Sequence, residues 1–138
     1  MRVWLLLGLM LSACAQSPQR PDSLYQALGE QVGLTRIVEG MLLNIAKDPR
    51  IVGHFTNVDI TPFRDKLVQQ LCVEAGGPCQ ASGDSMEEVH KGLQLTRSDF
   101  NALVEDLIVA MEAEGVPVPV QNRLLARLVP MRGQIIQR

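Results

Sequence analysis

Aromatic side chains are scarce in this 138-residue chain: one Trp, one Tyr and three Phe. Val and Ile are present, but they recur at helical rather than alternating spacing, so both marks of a β-rich fold are missing. An excess of one charge is missing too. Thirteen Lys and Arg against fifteen Asp and Glu leave a formal net charge of −2, which provides no electrostatic footprint for nucleic acid. Internal repeats and low-complexity tracts are absent, and the composition is not that of a disordered chain. The N-terminal apolar run, Val3 to Leu11, falls short of the roughly twenty residues that a bilayer span needs. Histidine is reduced to two positions, His54 and His90.

The length suits one domain, large enough to bury a core without a metal or disulfide clamp. The first residues stand apart from it. Arg2, the apolar run and the small pair Ser12-Ala13 read as a secretory signal over residues 1–13. Leu11-Ser12-Ala13-Cys14 resembles the lipobox of bacterial lipoproteins, which implies a lipid on Cys14; the plainer alternative is an ordinary signal with an incidental cysteine. Ala15 in place of aspartate implies the outer membrane by the same resemblance. The expectation is an exported domain, facing the periplasm and held to the membrane by its N-terminal lipid. Residues 14–22, with Pro18 and Pro21, read as a polar tether, and 23–138 as the folded domain.

Within that domain the spacing predicts an all-α fold of four substantial helices and short pieces. Ser23 caps and Gly29 ends a short first helix. Leu34, Ile37, Val38, Met41, Leu42 and Ile45 form an amphipathic stripe that stops near Lys47-Asp48-Pro49. Thr61-Pro62 reads as a cap and first helical residue, and that helix runs to Gly76-Gly77-Pro78. Thr96 and Asp99 open a helix striped by Phe100, Leu103, Val104, Leu107, Ile108 and Met111. Gly115-Val116-Pro117 breaks it, and the last helix carries a kink at Pro130.

Between these lies the stretch that bears chemistry. Ser85 and Glu88 form a capping box for a short helix in which Met86, Val89, His90 and Leu93 share a face. A neutral imidazole on an apolar face is either a metal ligand or a half-buried core histidine.

Taken in order, several features resemble the group 1 truncated haemoglobins, the two-on-two version of the globin fold. They are Leu24-Tyr25-x-x-Leu28-Gly29, Asp48-Pro49-Arg50, Phe55, Gly76-Gly77-Pro78 and the run Met86-x-x-x-His90-x-x-Leu93-x-Leu95-Thr96-x-x-x-Phe100. The likeness covers Ser23 to Met131. It implies non-covalent haem b, with His90 as the proximal ligand of the iron and diatomic gases (oxygen, NO, CO) as ligands. Phe55 matches the phenylalanine that packs on the haem. Met86, Leu93, Leu95 and Phe100 match the proximal lining, and Lys66 matches a basic residue beside a propionate; the plain alternative for Lys66 is a solvated lysine. The chain lacks Cys-x-x-Cys-His, so c-type attachment is not implied.

One departure stands out. The family often holds oxygen with a tyrosine and a glutamine. Those positions fall here at Leu42 and Leu67, with Phe63 one turn before Leu67, and all three are apolar. A lost donor implies faster oxygen release, unless Gln70 or another polar side chain swings in. His54 reads as a surface residue or, less simply, a distal ligand. Cys72 and Cys79 bracket the Gly-Gly-Pro turn, either as a disulfide in an oxidising compartment or as two thiols. Gas binding is the minimal function. Nitric oxide dioxygenase or peroxidase chemistry needs an electron donor this chain does not carry, and a sensor needs a signalling domain.

Overall fold

The computed structural model describes residues 24–81 and 94–136. Among the described residues the elements are helices, in the order α1 (Leu24–Ala27), α2 (Glu30–Ala46), a 3-10 turn (Val52–Phe55), α3 (Ile60–Glu74), α4 (Arg97–Ala113), α5 (Val118–Leu128), a second 3-10 turn (Val129–Met131) and α6 (Arg132–Ile135). One isolated parallel bridge joins Leu95 to Ile136. The all-α expectation holds. The signal, the tether and the Ser85–Leu93 helix lie outside the described residues.

The stripe on α2 decides the packing. Leu34, Ile37 and Val38 meet Val68 and Leu71 of α3, Leu107, Ala110 and Met111 of α4 and Leu124 of α5 in one buried cluster. Each such side chain contributes about 1.5–3 kcal/mol by leaving water. Gly40 lets α4 come close, since a Cβ there would lie 3.4 Å from that of Ala110.

Local chemistry sets the boundaries. Gly29 (φ 91°) and Glu30 (φ 58°) are both left-handed, which turns the chain sharply between α1 and α2. The turn drives the Leu28 carbonyl against Gly33, where a methyl group would collide with it. Helix α2 ends where the stripe predicted, just before Lys47-Asp48-Pro49. At α4, the Asp99 N–H donates to Thr96 Oγ1 (3.0 Å) and the Thr96 N–H to Asp99 Oδ2 (2.9 Å), a complete capping box.

The start of α3 corrects the sequence reading. Asp59, not Thr61, occupies the cap position, and Thr61 and Pro62 lie inside the first turn. Proline is tolerated there because the first-turn N–H groups have no intrahelical acceptor. The kink at Pro130 takes the form of the 3-10 turn between α5 and α6.

Cys72 and Cys79 are joined by a disulfide that spans seven positions. It fixes the Gly-Gly-Pro turn to α3. The Tyr25 N–H donates to the Ala75 carbonyl at 3.1 Å, so α1 docks on the same end.

Candidate functional site

The sequence-predicted lining residues divide into two groups. Leu42 on α2, Phe55 in the first 3-10 turn, and Phe63 and Leu67 on α3 are all half-buried. The rings of Phe55 and Phe63 lie 5.5 Å apart, tilted by 48°. Leu42 and Phe55 pack with Met41 and Leu103 on a small cluster of Ile45, Ile51 and Ala102. Leu95 and Phe100 belong to the second group, buried with Ile135 and flanked by Leu103, Val104 and Ile136. Leu103 borders both clusters, while Met41 and Leu42 also border the main core. Among the described residues, Leu103, Met41 and Leu42 thus link the three clusters. Lys66 is exposed on α3. His90, Met86 and Leu93 lie outside the described residues.

A cavity of about 340 Å³ opens at this corner, lined by Leu42, Ile45, Ala46, Val52, Phe55, Thr56 and Ile60. Thr56 is its one polar side chain, and its hydroxyl donates to the Gly53 carbonyl at 3.0 Å. Gln70, the polar side chain placed to reach inward, instead donates from Nε2 to Glu74 Oε1 at 2.9 Å.

His54 has a different role from either that the sequence suggested. It is half-buried, with Nε2 3.1 Å from Asp99 Oδ2. Asp99 is held below the usual carboxylate range, first by the Thr96 backbone N–H and further by the Thr96 hydroxyl and His54. His54 thus ties the turn bearing Phe55 to the cap of α4.

Sequence reasoning missed an acidic cluster beside the pocket. Asp48, six per cent exposed, accepts from Arg50 Nε at Oδ1 (2.9 Å) and from Arg50 Nη2 at Oδ2 (2.8 Å). Arg50 Nη1 also donates to Glu105 Oε2 at 2.6 Å. Arg50 side-chain hydrogen bonds hold the Asp48 carboxyl down at about 2. The neighbouring Asp106, eight per cent exposed, is pushed up to about 6, chiefly by burial and then by hydrogen bonding and charge from Asp48. Asp48-Pro49-Arg50 was visible as a motif, but its link to Asp106 depends on tertiary placement. Leu103 was visible too, one helical turn beyond Phe100.

A family model, bacterial-like globin, matches residues 23–137. A group 1 truncated hemoglobin of Nostoc sp. (strain MUN 8820) is 30% identical over 117 residues, covering 85% of this chain and 99% of its own. One from Mycolicibacterium paratuberculosis is 28% identical over 115 residues, 83% and 85% of the two chains. Truncated hemoglobin from Tetrahymena pyriformis in its Fe(III) form superposes with a TM-score of 0.80 at 25% identity, over 83% of this chain and 98% of the other. The 2/2 hemoglobin of Synechococcus sp. PCC 7002, described with covalently attached heme, has the same fold, with a TM-score of 0.78 at 23% identity over the same shares. With a family model spanning the entire folded domain, this chain belongs to the bacterial-like globins, among the truncated haemoglobins.

Proposed function

We propose that this chain binds haem b non-covalently, with His90 as the iron's protein ligand, and takes diatomic gases into an apolar distal pocket. The observation that carries the reading is a set of half-buried apolar residues among those described: Met41, Leu42, Phe55 and Leu103 pack on one small cluster, Phe63 lies against Phe55, and Leu67 borders the main core. These side chains are apolar, which suits them to pack against the faces of a haem.

In this reading Leu42, Phe63 and Leu67 line the gas side, with Phe55 packing against the macrocycle. Leu95 and Phe100 support the opposite side with Met86 and Leu93. Lys66 would lay its aliphatic stem along the haem edge and present its ammonium to a propionate. The second ring nitrogen of His90 would donate to a backbone carbonyl, fixing the imidazole's orientation. Bound haem supplies an iron centre that accepts oxygen, NO or CO.

The pocket's chemistry distinguishes among these gases. The Thr56 hydroxyl donates to the Gly53 carbonyl, the Gln70 amide is directed to Glu74, and the side chains of Leu42, Phe63 and Leu67 have no donor. Oxygen, which is held best by a hydrogen-bond donor, is expected to leave quickly, while CO depends far less on one. The lipobox-like Leu11-Ser12-Ala13-Cys14 supports export and a membrane anchor through Cys14. Any turnover chemistry would draw electrons from a separate donor.

The test is an absorbance spectrum of the haem-supplied chain lacking residues 1–20, beside His90→Ala. The expected result is a Soret band in the parent and an altered or lost ferrous spectrum in the variant, with CO and oxygen each shifting the parent spectrum. A parent that takes up no haem would overturn the reading.

A further inference from the structure

Asp106 presents a buried polar atom with no partner. Its side chain is eight per cent exposed, and among the described residues its Oδ2 accepts from no donor. The group beside it is the Asp48 carboxyl, which is also an acceptor; each of its oxygens takes one Arg50 guanidinium bond, and Oδ2 keeps a lone pair for a further donor. Two ionised carboxylates in this setting repel each other and leave an oxygen unsatisfied. One proton resolves both faults, because a protonated Asp106 becomes a donor toward Asp48.

A metal ion is a poorer solution. Arg50 occupies both Asp48 oxygens, and among the described residues no three His, Cys, Asp or Glu side chains converge on a metal site.

We propose that Asp48 and Asp106 share a proton and form an acid latch, which holds the turn bearing Phe55 onto α4 and loosens when the proton is lost. The Asp48 carbonyl accepts from the Val52 N–H at the start of that turn (2.9 Å), and Asp106 lies within α4. The charged groups facing Asp106 are Asp48 and Arg50 from the turn and Glu105 from its own helix. Losing the proton leaves Asp48, Asp106 and Glu105 negative around the single Arg50 cation. The Asn44 Nδ2–H donates to the Asp106 backbone carbonyl at 3.0 Å, which keeps α2 tied to α4 and confines the loosening to the turn. The latch exists whether or not haem binds; its effect on the gas pocket, through Phe55, rests on the proposed function.

The sign follows from linkage. Asp106 binds its proton more tightly in the folded state, about 6 against an ordinary 3.8. Its stabilising contribution is therefore complete below 3.8 and is lost as pH rises through about 6. Between pH 5 and pH 8 this amounts to a rise of about tenfold in the unfolding constant.

Two measurements on the full chain test the latch. The first is the infrared difference between the parent and Asp106→Asn at pH 5 and pH 8. A protonated-carboxyl band is expected in the parent at pH 5, absent from the variant and faded at pH 8. The second is denaturant unfolding at both pH values, in which Asp106→Asn should lose the tenfold pH dependence. If parent and variant have the same carboxyl bands at pH 5, Asp106 is ionised and the proposal falls, even if the variant's stability cannot be measured. A folded variant that keeps the parent's pH dependence overturns it equally.

Discussion

The two ends of α2 lie in opposite surroundings. Toward its N-terminal end, Leu34, Ile37 and Val38 are sealed among residues of α3, α4 and α5, and every partner comes from the chain itself. Toward its C-terminal end, Met41 and Leu42 stand half-buried at the edge of an apolar cavity. The same stripe thus supplies a finished core over its first turns and an unfinished wall over its last. Among the described residues one end of this helix is closed by packing, and the other keeps apolar surface half-exposed.

The contrast is most easily broken at the finished end. Leu124, fully buried there, should cost about 2–5 kcal/mol when cut to alanine, and denaturant unfolding should register the same loss with and without haem. Phe55→Ala should behave in the opposite way. The half-buried ring contributes less to the haem-free chain, so its removal should speed haem dissociation, on the order of tenfold or more, while moving the unfolding midpoint of the haem-free chain less than Leu124→Ala does. Equal responses of both variants to haem would erase the distinction between the two ends.

A finer test works inside the unfinished wall. Leu67→Gln places a donor on α3 at the position proposed to line the gas side. A hydrogen bond of about 1.5–3 kcal/mol to a polarised ligand should slow oxygen release by roughly tenfold to a hundredfold, while CO release changes little. Stopped-flow displacement of each gas measures this directly, and an unchanged oxygen rate would mean the pocket already holds a donor. The smallest effect belongs to the cap of α4. Thr96→Ala should cost about 1 kcal/mol and also weaken the Asp99–His54 link at the edge of the pocket, visible as a small fall in unfolding midpoint.

How far the sequence could be read follows the same division. The stripes on α2 and α4 were legible because burial repeats with the helical period, and the Thr96–Asp99 box because it spans only one turn. Leu42, Phe55, Phe63 and Leu67 were singled out through resemblance alone; of the four, Leu42 and Phe55 line the cavity, and Phe63 lies against Phe55. Asp106 was not legible. Its stripe neighbours are apolar, and nothing local distinguishes a buried acid from a solvated one until Asp48 arrives from fifty-eight positions away. The contact of His54 with Asp99 was hidden for a similar reason, since the two lie forty-five positions apart. The start of α3 was read one cap too late because Thr61-Pro62 gave the stronger local signal, whereas Asp59 holds the position without a side-chain cap bond.

The contact between the Leu28 carbonyl and Gly33 carries a consequence for how this protein tolerates change. Glycine inside a helix costs about 0.5–1 kcal/mol relative to alanine, so random substitution should favour alanine at most helical glycines. At Gly33 the preference reverses, because the smallest added side chain collides with a backbone oxygen that cannot rotate away. Gly53 and Gly133 face open space and carry no such veto. In a saturation library selected only for folding, Gly33 would remain glycine almost without exception, while Gly53 and Gly133 would drift. Together with Gly29, whose left-handed backbone and close approach to Gly33 also bar a side chain, it would mark the α1–α2 junction in sequence data alone.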